Sequence, residues 1–205
     1  MQAAPFLLLL ISLAQASAND WTAAGTKGDV TLAFRDDRQL EVREVRATTE
    51  LPFPAARIFP LVCDFSNYKS LVSGVEEART LSGSAPSDYE IYMHYAPRFV
   101  VVAARDVVVH VQSQSTVDGS SSCRWTELKD RELERKGIVR MKLLRGSWTI
   151  EPLDEGRSRV VYQVAVNPGG RLPGWLVRRG AVSALPAVIE QVRRRLERDS
   201  QASSR

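Results

Sequence analysis

The chain of 205 residues carries 28 lysine and arginine residues against 24 aspartate and glutamate residues, a net charge of +4. This excess is modest and diffuse, and no basic patch interleaved with aromatic residues occurs, so we expect no nucleic-acid partner. The charge favours contact with an anionic membrane surface instead. With two cysteines, two histidines and no paired cysteine spacing, the sequence gives no sign of a metal site, and we expect no metal and no cofactor.

The first 18 residues have features of a signal peptide. The apolar run at 6–14 is shorter than the roughly 20 residues that a membrane span needs, and small residues ending at Ala16 and Ala18 offer cleavage sites. No lysine or arginine precedes the run, so a ragged apolar N-terminus of a cytosolic protein is the alternative. We expect a signal peptide at 1–18, export to the periplasm or medium, and one domain at 19–205.

Two strands and a helix are predicted next in the chain. Residues 21–28 form a short lead-in with at most one turn of helix. Residues 29–35 and 39–49 alternate between polar and apolar and predict strands. The apolar phase slips inside the second strand, which indicates a β-bulge. A helix then begins near Pro54.

The rest of the chain predicts an antiparallel meander followed by a long helix. Turn residues separate six predicted strands, at 75–82, 88–96, 99–112, 123–129, 138–151 and 157–167. The helix has apolar residues at three- and four-residue steps, namely Ala181, Val182, Leu185, Val188, Ile189, Val192 and Leu196. A curved sheet with one early and one long last helix is an α+β arrangement.

Four stretches resemble START-type lipid-binding domains, in that family's order and spacing. They are Leu-Pro-Phe-Pro-Ala at 51–55, the pair Arg105 and Asp106, Gly-Ile-Val-Arg-Met at 137–141 with Trp148, and Asn-Pro-Gly-Gly-Arg-Leu-Pro-Gly-Trp-Leu-Val at 167–177. The resemblance spans about 21–196. It implies a helix-grip fold, in which the sheet wraps around the last helix and a cavity between them holds one lipid.

The resemblance also implies a set of residues that line the cavity, chosen by strand phase and helix stripe. On sequence alone, a filled core is the alternative. For the strand that contains Met141, the face that points to the cavity is ambiguous, because the opposite face carries the large apolar residues Trp148 and Ile150. The candidates are Met93, Tyr95, Arg105, Val107, Val109, Trp125, Met141, Leu143, Tyr162, Val164, Trp175, Val182 and Leu185.

Arg105 precedes a run of valines and has two interpretations. It either faces the cavity, to pair with a ligand head group or a buried carboxylate, or belongs to a structural ion pair, since a buried guanidinium needs a partner. In sterol-binding relatives of the family a second arginine follows six residues later. Here that position is Val111, which puts a sterol anchor in doubt.

Cys63 and Cys123 fall on a predicted helix and a predicted strand. We favour two buried free thiols, because cysteine packs in cores as a small apolar residue. A disulfide is the alternative, which an oxidising compartment would permit.

No catalytic apparatus is visible. His94 and His110 each lie on the face of a predicted strand opposite its apolar residues, and no nucleophile elbow or phosphate-binding loop occurs. We therefore expect a non-enzymatic carrier. One alternative is a helix-grip cyclase, dehydratase or hydrolase with Tyr95, His94 or Arg105 as acid–base groups, and another is an interaction module with a vestigial cavity.

The family places its lid at the last helix and at one loop between strands, here 113–122. Gly169 and Gly170 are expected hinges, and Trp175 is expected to touch lipid. We expect a monomer that binds a lipid or other hydrophobic small molecule and associates transiently with a membrane surface.

Overall fold

The computed structural model describes residues 21–37, 39–40, 42–97, 103–129 and 135–203, and of helix residues 174–176, 178–179, 181 and 203 it describes the backbone alone. These residues form ten β-strands, three α-helices and a 3₁₀ turn. In chain order they are β1 (Thr22–Lys27), β2 (Val30–Asp37), β3 (Val42–Leu51), α1 (Ala55–Cys63), the 3₁₀ turn (Phe65–Asn67), α2 (Tyr68–Leu71), β4 (Val75–Ser84), β5 (Asp88–Tyr95), β6 (Arg105–Ser115), β7 (Ser121–Glu127), β8 (Val139–Arg140), β9 (Leu143–Pro152), β10 (Ser158–Asn167) and α3 (Gly174–Ser203).

The strands form one sheet in the order β1-β2-β3-β10-β9-β7-β6-β5-β4, with β8 attached to β6. Every pair along the main path is antiparallel, and β8 alone runs parallel to its partner. Short turns between sequence neighbours suit antiparallel pairing. Because β10 lies between β3 and β9, the last strand joins the early strands to the meander in the middle of the sheet.

The concave face of the curved sheet packs on α3. Alternate residues of β10 point inward, so Val160, Tyr162 and Val164 are buried there. The apolar stripe of α3 meets them, with Leu185 and Ile189 among its buried members. Burial of such side chains contributes about 25 cal/mol per Å² of apolar surface. The α+β helix-grip fold expected from the sequence is confirmed.

Two expectations for the early strands were wrong. Residues 22–27 form the edge strand β1 instead of a helical turn, and its pairing with β2 shifts register between Ala23 and Gly25. The bulge expected in β3 does not occur in its pairing with β2 or β10. Val42 instead lies on the outer face, in a small cluster with Leu143 and Ala165, which explains the slip in apolar phase.

The strand expected at 138–151 is broken in two. The short strand β8 pairs with the start of β6, and β9 begins at Leu143. Between them the hydrogen bonds change partner: Met141 N donates to Asp106 O at 2.9 Å, and Lys142 N donates to Asn167 O at 2.9 Å. The chain thus crosses from β6 to β10 here. The strand expected at 99–112 begins at Arg105, and residues 98–102 lie outside the described residues.

A disulfide joins the helix layer to the sheet. Cys63 ends α1 and is bonded to Cys123 in β7, with the Cα atoms 5.9 Å apart. Both residues are fully buried, as expected for cysteine in a core, but the preferred prediction of free thiols was wrong. In the described part of the chain, no helix has the length and apolarity that crossing a membrane requires.

Candidate ligand-binding face

Most of the residues expected to line a cavity meet on the concave face of the sheet. Those that are buried in the main apolar cluster are Met93, Val107, Val109, Trp125, Tyr162, Val164 and Leu185. Those that are partly buried and pack against it are Tyr95, Met141 and Val182. The residues predicted from strand phase and the helix stripe thus come together from four strands, one helix and the β8–β9 connection.

One of the remaining candidates lies elsewhere. Leu143 lies on the opposite face of the sheet in the cluster with Val42 and Ala165, so the expected phase of this strand is corrected. Its neighbours of the other phase, Leu144 and Trp148, point inward instead. The side chain of Trp175 lies outside the described residues.

Four of the partly buried apolar residues lie at one end of the concave face, where α3 begins, and we call this the open end. Tyr95 ends β5, Val166 comes near the end of β10, and Val182 belongs to the first half of α3. These three and Met141, between β8 and β9, are the partly exposed members of the apolar layer at this end.

The other end of the layer is closed by stacked aromatic rings that the sequence did not suggest as a group. Phe65 stacks on Tyr68 with ring centroids 4.0 Å apart, and Trp148 stacks on Tyr162 at 4.0 Å. Trp148 Nε1 donates a hydrogen bond of 2.9 Å to Tyr68 Oη. Offset rings of this kind add to the stability that burial alone gives. Trp125 belongs to the same floor, with its ring 5.1 Å from that of Phe65.

Gly146 makes room for the Trp125 ring. A Cβ atom at this position would lie 2.4 Å from Cζ2 of Trp125 and 2.2 Å from the carbonyl oxygen of Gln163. No real side chain tolerates such distances, so glycine is required for the indole to lie against β9.

Two tyrosines of the concave face, Tyr95 and Tyr162, carry phenols with raised pKa values. Burial raises the pKa of both Tyr95 and Tyr162, and the Tyr95 phenol raises that of Tyr162 further. Among the described residues, Tyr95 Oη has only Met93 Sδ as a partner, at 3.9 Å, and Tyr162 Oη has none. Both phenols therefore stay neutral at physiological pH and can donate hydrogen bonds to a guest molecule.

Arg105 is a buried cation at the open end. Its side chain belongs to a residue that is 7% exposed, and Nη1 donates to the carbonyl oxygen of Ala103. Nε is buried without a hydrogen-bond partner, and no carboxylate of the described chain contacts the guanidinium. Burial lowers the pKa of Arg105. Because buried charges are normally paired and no described side chain pairs with this one, Arg105 is a candidate to bind a polar group of a ligand.

Asp106 does not pair with its neighbour Arg105. Successive strand residues point to opposite faces, and Asp106 on the outer face binds Arg140, with Nε 2.7 Å from Oδ1. The interpretation of Arg105 as half of a structural ion pair is thus not supported by the contacts of the described residues.

The connection into α3 requires glycine beside Arg105. Gly169 and Gly170 have φ angles of 67° and 68°, which residues with side chains rarely adopt. A Cβ on Gly169 would lie 2.8 Å from the carbonyl oxygen of Arg140, and one on Gly170 would lie 3.6 Å from Nη2 of Arg105. Alanine at Gly169 would therefore push the connection away from β8 instead of stiffening it.

The loop expected to act as a lid lies at the wrong end of the sheet. Residues 113–115 and 121–122 belong to β6 and β7, which leaves a five-residue turn. Asp118 holds that turn by accepting a hydrogen bond from Ser120 N at 3.0 Å. The turn follows the end of β6, whereas Arg105 begins that strand. The segments that flank Arg105 are the β5–β6 and β7–β8 connections.

Comparison with known proteins shows the family of this chain. The model of a family described as polyketide cyclase / dehydrase and lipid transport matches residues 42–201. The chain belongs to this polyketide cyclase / dehydrase and lipid transport family. An uncharacterised protein of Pseudomonas aeruginosa is 27% identical over 169 residues, which are 82% of this chain and 83% of that protein.

Solved structures of the same fold include START-type lipid transfer proteins, as the sequence motifs indicated. A STAR-related lipid transfer protein from Xanthomonas axonopodis gives a TM-score of 0.77 at 24% identity, covering 87% of this chain and 99% of that one. Human StAR-related lipid transfer protein 5 gives 0.81 at 14% identity, covering 90% of each chain. The Zhui aromatase/cyclase from Streptomyces gives 0.58 at 15% identity, covering 79% and 98%.

In this member of the polyketide cyclase / dehydrase and lipid transport family, both histidines lie on the outer face of the sheet. His94 Nδ1 is 3.5 Å from a Glu76 carboxylate oxygen, and His110 Nε2 is 2.7 Å from Asp88 Oδ1. The hydrogen bond from His110 lowers the pKa of Asp88. Neither imidazole shares a face with Tyr95, so no histidine–tyrosine acid–base pair forms. Among the described residues, no group of ligands that could hold a metal ion occurs.

Proposed function

We propose that the protein binds one amphipathic lipid between its sheet and α3 and carries it unchanged. The observation that carries this proposal is Arg105, a buried guanidinium with an unpartnered Nε at the open end of an apolar face. A ligand whose polar group accepts hydrogen bonds from Arg105 would relieve the cost of that unpaired donor. Its hydrocarbon part would extend over Val107 and Val109, at about 0.8 kcal/mol per buried CH₂.

Tyr95 and Tyr162 support the same assignment. Tyr95 is the strand partner of Arg105, so its hydroxyl adds a donor near the guanidinium, and the rings of both tyrosines are apolar walls for a hydrocarbon chain. The family's description includes lipid transport, and two of the similar structures are START-type lipid transfer proteins. The apolar concave face and the family to which the chain belongs therefore both support a hydrophobic ligand.

An enzyme on a hydrophobic substrate is the second candidate, because the family also includes polyketide cyclases and dehydrases. The specific observation in its favour is the pair of buried phenols of Tyr95 and Tyr162. Since the pKa of each phenol is raised, the pair could act only as an acid, and among the described residues neither hydroxyl is hydrogen-bonded to a carboxylate or imidazole that could serve as its base. General acid–base chemistry needs both roles, so we favour the carrier.

We also propose that the protein works in an oxidising compartment after export. The disulfide between Cys63 and Cys123 is of the kind that persists in secreted and periplasmic proteins, and the apolar run at 6–14 fits a signal peptide. The exported protein should begin at Ser17 or Asn19 when its N-terminus is sequenced. Intact Met1 in a cytosolic pool would refute export.

Native mass spectrometry of the protein purified from its source tests the carrier proposal. We expect the full chain to retain one lipid, in a 1:1 complex whose mass matches an unmodified amphipathic lipid. Prolonged incubation should leave that lipid chemically unchanged. A protein that retains no lipid, and takes none from vesicles, would contradict the carrier, and conversion of the bound molecule would support the enzyme.

A further inference from the structure

Glu127 places a carboxylate on the apolar concave face. It is the last residue of β7 and pairs with Val109, a fully buried residue of the main cluster. Two residues earlier, Trp125 points to the same face and packs with Tyr162 at a ring distance of 6.1 Å. The alternation Cys123, Trp125, Glu127 could have revealed this position in the sequence.

One oxygen of this carboxylate is buried and unpartnered. Oε2 of Glu127 is shielded from solvent and accepts no hydrogen bond from any described residue. The two described arginines on the same face are engaged elsewhere: Arg43 Nε binds Asp36 Oδ1 at 2.8 Å, and Arg105 donates to Ala103. A buried acceptor without a partner destabilises the folded chain, so a donor from outside would be bound favourably.

We infer that Glu127 selects ligands that carry a hydrogen-bond donor, either a hydroxyl or a protonated amine, over ligands of the same chain length that carry none. The inference rests on the proposed lipid-binding function and names the chemistry that the concave face would recognise. A hydroxyl would donate to Oε2, and an ammonium group would add charge attraction to that hydrogen bond.

Glu127 is separate from the anchor at Arg105. Arg105 begins β6, and Val109, the partner of Glu127, comes four residues later on the same strand. At about 3.4 Å per residue the two positions are roughly 14 Å apart along the strand. Loss of one side chain therefore leaves the other in place, and the two roles can be measured independently.

Three oleyl compounds with the same hydrocarbon chain test the inference: oleyl alcohol, oleylamine and oleyl methyl ether. We expect the wild-type protein to bind the alcohol and the amine at least about tenfold more tightly than the ether, which cannot donate. Glu127→Leu should bring all three affinities to within about twofold. Glu127→Gln keeps an acceptor oxygen, so it should retain the preference for the alcohol and lose the additional preference for the amine. Glu151→Leu, on the outer face of β9, is the matched control and should change no ratio.

The thermal stability of ligand-free protein gives a second readout. Because Glu127→Leu removes an unpaired acceptor, its midpoint of unfolding should equal or exceed that of the wild type. A lower midpoint for both Glu127→Leu and the isosteric Glu127→Gln would show a structural role and overturn the inference. Wild-type binding of all three compounds with equal affinity would overturn it while leaving the carrier intact. Binding of none of them would overturn both.

Discussion

At the residue scale, the concave face is unusual because its polar groups are not paired with one another. The Arg105 guanidinium has an unpartnered Nε, Tyr162 has a free hydroxyl among the described contacts, and Tyr95 meets only a thioether. A core built for stability alone would replace such groups with apolar ones, since buried polar groups without partners cost free energy. Their presence on one face is the expected signature of a binding surface.

Replacing Arg105 with leucine separates binding from stability. We expect Arg105→Leu to lower the affinity for oleate about tenfold or more, because the carboxylate loses its charged donor. The free energy of unfolding without ligand should fall by no more than about 1 kcal/mol, or rise, because an unpaired buried charge is removed. Calorimetric titration and urea unfolding measure the two effects. Arg159→Leu, exposed on the outer face, is the control and should change neither. An unaltered oleate affinity would show that Arg105 is not the anchor.

At the element scale, the sequence predicted those features that periodicity controls. The α3 stripe and the inward phase of β10 and β6 follow from alternation and helical spacing, and they are confirmed. Periodicity does not show where a strand changes its pairing partner, so it does not predict the break between β8 and β9. For the same reason Leu143 was expected on the concave face, whereas it lies on the outer face. Periodicity also does not show which residues far apart in the sequence come into contact. It therefore gives no reason to favour the disulfide over free thiols, and it does not predict the stacked rings of Phe65 and Tyr68.

The disulfide should stabilise the attachment of α1 to the sheet. It closes a separation of 60 residues between Cys63 and Cys123, and loop-closure entropy of that size corresponds to about 4 kcal/mol. The double variant Cys63→Ala, Cys123→Ala should therefore unfold at lower urea concentration, with an equal or steeper dependence on urea, because its unfolded chain is less compact. Dithiothreitol should lower the stability of the wild type to a similar value and leave the variant unaffected. Equal unfolding curves for wild type and variant would show that the crosslink contributes nothing.

At the scale of the whole molecule, a ligand held between two layers needs a way in. Four partly buried apolar residues, Tyr95, Met141, Val166 and Val182, lie at the start of α3, and the Gly169–Gly170 connection packs against β8 without side chains. The aromatic floor closes the other end. We therefore expect opening to involve the first half of α3 and its connection, with the central strands fixed.

Hydrogen exchange tests whether the first half of α3 opens while the central strands stay fixed. Amides at 170–183 should exchange faster than those at 160–166, which are paired with β3 and β9 on both sides. Saturation with oleate should protect the first segment and leave the second unchanged. If both segments exchange alike and the ligand affects neither, α3 is a fixed wall and the ligand enters elsewhere.

The central claim is that a lipid occupies the space between the sheet and α3, and intermolecular nuclear Overhauser effects test it most directly. With uniformly ¹³C-labelled oleate bound to the unlabelled full chain, we expect contacts from the hydrocarbon chain to Tyr95, Val107, Tyr162 and Leu185. The outer cluster of Val42, Leu143 and Ala165 is equally apolar and serves as an internal control, with no contacts expected. Contacts to that cluster or to exposed side chains alone, with none to the concave face, would contradict the account.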